Sequence, residues 1–173
     1  SLVGSEMCIR DRFHMWLPMH GFVSEETIFL RPDPDTTITD PGNGLMPATV
    51  STFNHSNNSI YIHSSRGYTR DGQIKPDLAA PGVRVQGPAI QTEKEAETKT
   101  PVLTWRTGSS VAAAITAGAA AVLLSWGITG GNDKTLTSTS LKAILIRGAD
   151  RNPGFSWPNR QWGLSLIHIS EPT

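Results

Sequence analysis

Cysteine is nearly absent from this 173-residue chain: Cys8 stands alone, so no internal disulfide is available. An excess of charge is absent too. Fifteen basic residues balance fifteen acidic ones, which removes the electrostatic signature of a nucleic-acid or anionic-membrane binder. No run of 18 residues is free of polar breaks, and on that ground no membrane-spanning segment and no membrane partner are expected. No internal repeat is visible. The length suits one domain with a real core.

What is present centres on TGSSVAAAITAGAAAVLLSWG, residues 107–127. A hydroxyl-bearing glycine turn runs directly into an alanine-rich helix, broken only by Thr116, Gly118 and Ser125. That helix is apolar nearly all round, which predicts burial in the middle of a domain. Ser110 falls in its first turn, where free backbone N–H groups and the positive end of the dipole favour negative charge. Two readings of Ser110 follow. It is a plain helix cap, or it is an acyl-transfer nucleophile with half an oxyanion hole in its own backbone.

The surrounding residues resemble the subtilase family of serine proteases. The family's nucleophile motif, G-T-S-x-A-x-P, is matched from Gly108 through Ser109, Ser110, Val111, Ala112 and Ala113 to Ala114, and Ala117-Gly118 matches the later A-G pair. Ser109 stands in place of threonine and keeps a hydroxyl. Ala114 stands in place of proline, as in the branch related to clostridial germination proteases. The upstream KPDLAAPG, residues 75–82, is similar to the family segment ahead of the nucleophile. WLP at Trp16 and PDPDTTIT around Asp33 resemble the same branch, which carries an inserted β-rich domain.

The resemblance implies the carboxy-terminal part of a subtilisin-like three-layer α/β fold, with a largely parallel sheet and a buried central helix. It implies a serine endopeptidase acting on polypeptides through an acyl-enzyme on Ser110, without cofactor or metal. A secreted or cell- or spore-associated setting is expected, and a propeptide is a possible partner of the full-length protein. The family's triad runs Asp, His, Ser along the chain. Asp35, Asp40 and His20 lack the family's Asp and His patterns, and Asp77 belongs to the segment before the nucleophile. The acid, the base and the oxyanion asparagine are therefore expected upstream of this chain, leaving the fragment inactive alone. A second reading is a subtilase-like pseudoprotease with a binding or signalling role. A third is an α/β-hydrolase esterase, since Gly108-x-Ser110-x-Ala112 imitates a nucleophile elbow; that fold wants its acid and then its histidine downstream, where Asp133 and Asp150 precede His168.

Both ends read differently. Residues 1–12 (SLVGSEMCIRDR) and 164–173 (LSLIHISEPT) look like translated sequencing-adapter sequence and are set apart from the fold. Residues 13–47 are expected to close the inserted β-rich region and connect it, and residues 48–163 to form the catalytic-domain part.

Local patterns predict strands at 14–17, 27–30, 48–53, 59–63 and 103–107, with a turn at 54–58. They predict a second helix over 138–147 capped by Ser138 or Ser140, burying Leu141, Ile144 and Leu145. The charged run 91–100 is expected to be a solvated tip, His14, His20, His55 and His63 are expected at the surface or satisfied in the core, Trp157 and Trp162 are expected to pack, and Trp105 is expected either to pack or to border the substrate groove. The spacing of Asp33, Asp35 and Asp40 does not match a calcium loop.

Overall fold

A β-branched pair and a phenylalanine in VSTFN give β1 (Val50–Asn54) its extended form, and its three middle residues are buried. The chain in this computed structural model is described over residues 15–18, 21–90 and 102–167. It divides into two units, Ser1–Asp33 and Pro34–Thr173. The described residues of the first carry no strand. The strand expected at 27–30 is irregular, because no neighbouring strand among the described residues of that unit offers it a ladder; of the one expected at 14–17, residues 15–17 are irregular too. The run 91–100, His14 and His20 lie outside the described residues.

In the second unit, β2 (Ser59–Ile60) returns antiparallel to β1, pairing Phe53 with Ile60. The turn between them is built by asparagines. Asn54 Oδ1 accepts from the Ser56 N–H at 3.0 Å, and Asn57 Oδ1 from the Ser59 N–H at 3.1 Å. The chain then makes a long connection, and β3 (Leu78–Pro81) lies parallel to β1, Val50 opposite Leu78. Two of the sheet's three pairings are parallel, β3 with β1 and β3 with residues 164–167, so it is largely parallel as expected, with β2 as an antiparallel edge. A short turn permits only an antiparallel return, and the long connection permits the parallel one.

The far edge of β3 is occupied by residues 164–167. The Ala79 N–H donates to the Ser165 carbonyl at 2.9 Å, and the Ile167 N–H to the Ala79 carbonyl at 2.8 Å. Leu166 joins Phe53, Ala79 and Trp162 in the hydrophobic core. This places part of the stretch set apart from the fold inside it. The physical reason is plain: β3 is fully buried and its open edge needs hydrogen-bond partners, and Leu164, Ser165, Leu166 and Ile167 alternate well enough to supply them. Phe53 lies 5.4 Å from Trp162, and Phe155 stacks on Trp162 at 5.6 Å. Trp162 packs in the core as expected, and the half-buried Trp157 packs against it.

After β3 a two-stranded hairpin leaves the sheet. It comprises β4 (Val85–Pro88) and β5 (Leu103–Arg106), antiparallel with Val85 opposite Arg106. It delivers the chain to α1 (Ser109–Leu124), which crosses β1 and β3 and continues as a π-helical turn, Ser125–Thr129.

The burial of α1 differs from expectation. Within it only Ala112 and Thr116 are buried, and Ala113, Ala114, Ala117, Gly118, Ala121 and Val122 are exposed. The helix is apolar on every side, but the described residues close only the face resting on the sheet, and α2 shields part of a second. Ser109–Thr129 is also long and apolar enough to cross a membrane by length and composition, since alanine, valine, leucine and isoleucine keep its mean hydropathy at 1.9 despite the polar breaks.

Helix α2 (Ser138–Gly148) starts at a capping box: Thr137 is the N-cap, the Ser140 N–H donates to Thr137 Oγ1 at 3.2 Å, and the Thr137 N–H donates to Ser140 Oγ at 2.8 Å. The cap is thus one residue ahead of Ser138, with Ser140 as its reciprocal partner. Leu141 and Leu145 are half-buried and Ile144 is exposed.

Beneath this framework lies a buried charge cluster. Asp77 Oδ2 is 2.7 Å from Lys75 Nζ, and Asp77 Oδ1 is 2.7 Å from Lys142 Nζ. Lys75 Nζ also donates to the Pro47 carbonyl at 2.8 Å, and Asp77 Oδ2 accepts from the Thr49 N–H at 2.8 Å. Burial holds the Lys75 ammonium below the ordinary lysine range, only partly offset by Asp77. Asp77 is structural, as the segment KPDL suggested: it ties the start of β3 to the loop before β1 and to α2.

Candidate active site

Ser110 owes its place to backbone contacts made by its neighbours. The Gly108 N–H donates to the Gly82 carbonyl at 2.8 Å. The Arg84 N–H donates to Thr107 Oγ1 at 2.9 Å. Two hydrogen bonds thus strap the turn before α1 to the turn after β3. The approach is close enough to require glycine at 82. A Cβ there would lie 2.5 Å from Thr52 Cγ2, 2.8 Å from the Gly108 carbonyl oxygen and 3.1 Å from Ala112 Cβ. Gly82→Ala is expected to lower stability by about 1–3 kcal/mol through overpacking and to shift the turn. Thermal melting checks the first effect, and probe labelling of Ser110 in the full-length gene product checks the second.

The N-cap of α1 is Gly108, and no side chain caps the helix. Ser110 is therefore not spent as a capping residue. Its side chain is exposed, and with Ser109 and Ala113 it lines a cleft of about 520 Å³. Of the N–H groups in the first helical turn, those of Val111 and Ala112 donate to the Gly108 carbonyl at 3.1 and 3.4 Å, and those of Ser109 and Ser110 have no acceptor within the helix. A negative oxygen held beside Ser110 would meet them and the positive end of the α1 dipole.

The rest of the cleft comes from three segments. The loop before β1 supplies Asp40, Pro47 and Thr49, the loop after β2 supplies His63, Ser64 and Ser65, and Pro76 precedes β3. Pro47, Thr49 and Pro76 are held by or next to the Lys75–Asp77–Lys142 cluster, so the buried charges set this wall. Asp40, His63 and Ser110 thus line one cleft, in the chain order of a triad. No hydrogen bond joins them among the described residues. The His63 ring packs edge-on against Tyr61 at 5.2 Å, and Asp40 accepts from Asn43 Nδ2 at 3.4 Å. Neither is oriented as a base or acid for Ser110.

The remaining candidates sit elsewhere. His55 is at the β1–β2 turn, with Nδ1 buried and unpartnered among the described residues. Asp35 is 3.5 Å from Arg160. Asp133 and Asp150 do not line the cleft: Asp133 Oδ1 accepts from the Thr135 N–H at 3.0 Å, and Asp150 is bridged through its backbone to Leu166. His168 lies outside the described residues. The esterase arrangement thus finds no acid in the cleft downstream of the serine among the described residues. Trp105 is exposed and does not line the cleft. Sequence reading missed the strap through Thr107 and Gly82. Pro81-Gly82 was legible as a turn, but its distance to Gly108 depends on how α1 crosses the sheet.

A mixed α/β scaffold presenting an unspent serine at the mouth of a central helix defines the class, and sequence comparison agrees. The profile of the subtilase family matches residues 30–163, and the chain belongs to that family. Among solved structures it is similar to the CspB protease of Clostridium perfringens, with 32% identity and a TM-score of 0.72. The match covers 84% of this chain and 29% of the CspB chain, so the chain spans under a third of that protein's length. No curated protein matches it.

Proposed function

We propose that this chain is the nucleophile-bearing portion of a serine endopeptidase domain and that Ser110 is its nucleophile. The observation that carries the reading is the state of Ser110: exposed, free of a capping role, and set at the first turn of α1 on the wall of a 520 Å³ cleft. Ser110 Oγ attacks the scissile carbonyl of a polypeptide, and an acyl-enzyme forms as the amine leaves. The carbonyl oxygen, now negative, takes a hydrogen bond from the first-turn backbone and is favoured by the dipole. Water then releases the acyl group.

A serine hydroxyl needs a base to take its proton and a carboxylate to orient that base. In this reading both come from polypeptide outside these 173 residues. The exposed apolar circumference of α1 supports this: such a surface suits burial by further layers of a larger domain. The purified chain alone is expected to show no serine-dependent peptide hydrolysis. Hydrolysis that disappears on Ser110→Ala would overturn the need for outside groups.

A pseudoprotease is the second reading. It is favoured by the lack of any hydrogen-bonded base at Ser110 among the described residues. A fluorophosphonate probe applied to the full-length gene product separates the two. Labelling that requires Ser110 supports the enzyme, and absence of labelling supports the pseudoprotease.

A further inference from the structure

The β4–β5 hairpin carries an exposed face that nothing above uses. Trp105 is 57% exposed and Leu103 is 53% exposed, on alternate positions of β5 and therefore on one face. The guanidinium carbon of Arg84 lies 5.8 Å from the centroid of the Trp105 ring, a cation–π pair.

Arg84 reaches this position from a left-handed backbone, with φ of 49°. Glycine or asparagine adopts that region at lower cost, so what arginine adds here is its side chain. The backbone of Arg84 is fixed at the same time, because its N–H is the donor to Thr107 Oγ1 in the strap that holds the Ser110 turn. Trp105 itself precedes Ser110 by five residues. An apolar plate with a cation over its ring is thus tied to the nucleophile turn through both of its residues.

We propose that Arg84 and Trp105 form a reading site for the polypeptide substrate, in which Trp105 takes an apolar or aromatic side chain and Arg84 a carboxylate next to it. The proposal rests on the reading of Ser110 as nucleophile and adds a preference to it. The chemistry follows from the pair. An indole face half-open to water gains by covering itself with an apolar side chain. A guanidinium resting on a ring keeps donors free for a carboxylate, and a lysine in the carboxylate's place would meet a like charge. The two contacts select a local sequence feature, an apolar residue beside an acidic one.

The test uses the isotopically labelled chain and three capped hexapeptides in an alanine–glycine background. One carries Phe-Glu at its centre, one Phe-Lys and one Ala-Glu. The indole N–H resonance of Trp105, assigned with Trp105→Phe, reports binding. A saturable shift is expected with the Phe-Glu peptide, and each of the other two is expected to bind about fivefold or more weakly, as befits exposed charge and cation–π contacts. Arg84→Gln is expected to abolish the discrimination between Glu and Lys while leaving the preference for Phe over Ala. Arg84→Gly relieves the left-handed backbone and is expected to behave like Arg84→Gln, which separates the side chain's role from folding. Absence of a saturable shift, equal binding of the Glu and Lys peptides, or unchanged discrimination in Arg84→Gln overturns the proposal. These outcomes do not involve Ser110. Peptide discrimination without probe labelling removes only the nucleophile reading, and labelling without discrimination removes only this one.

Discussion

Ser110→Ala in the full-length gene product is expected to reduce peptide hydrolysis by about 10⁶ in kcat with little change in KM, the scale of loss found when the nucleophile of subtilisin is removed. Such a loss differs in kind from that of a single oxyanion donor, which is about 10²–10³. The difference decides what Ser110 does. If it only shaped the first turn of α1, its replacement by alanine, a strong helix former, would leave the rate within about tenfold. If it forms the acyl-enzyme, chemistry falls to the background that binding and the oxyanion hole still support. Steady-state kinetics with one peptide substrate, alongside a melting curve showing that the variant folds, make the comparison. A rate within tenfold of the unaltered protein would remove Ser110 from the mechanism. Its exposure and the absence of a capping bond argue for the larger loss.

Asp77→Asn is expected to be the most destabilising single change in the buried cluster, at about 3–5 kcal/mol. Asp77 faces two ammonium groups, each 2.7 Å away, and Lys75 is almost fully buried. Neutralising the carboxylate leaves both cations without their counter-charge, and Lys75, almost fully buried, has no water to replace it. Against a total stability of about 5–15 kcal/mol, such a loss approaches unfolding. Urea denaturation checks it, and a loss below about 1 kcal/mol would mean that water reaches the cluster. Lys75→Met should be far milder, because Lys142 still pairs with Asp77 and the methionine avoids the desolvation that Lys75 undergoes.

The pH dependence has a definite sign. With its pKa depressed by burial, folded Lys75 gives up its proton at a lower pH than the unfolded chain does. Between the two values the unfolded state binds more protons, so this residue's contribution to stability rises with pH and levels off above the ordinary lysine pKa. In Lys75→Met that rise should be missing, so the difference between the two stability profiles should carry it.

Both predictions draw on elements that differ in how far the sequence reveals them. The glycine turn, the serine behind it and the apolar helix are local: spacing and residue type are enough, and α1 begins within two residues of expectation. The second helix is legible for the same reason, although its capping box settles on Thr137, since cap choice depends on backbone entry angle as well as residue type. Asp77 could be set aside from catalysis by its place in KPDL, but its two lysine partners could not be paired from sequence, because Lys142 is 65 positions away on another helix.

What the sequence determined by itself is therefore the periodic and the nearest-neighbour part. It placed a hydroxyl at the mouth of an alanine-rich helix and strands around an asparagine turn. Tertiary structure decided the rest, because each remaining feature depends on which distant surfaces meet. The sheet closes one face of α1 and leaves its opposite side open. The edge of β3 takes residues 164–167 into the core. Gly82 comes close enough to Gly108 to aim Ser110 into the cleft, and Arg84 rests over Trp105. Periodicity reports how apolar a helix face is; only packing determines what covers it.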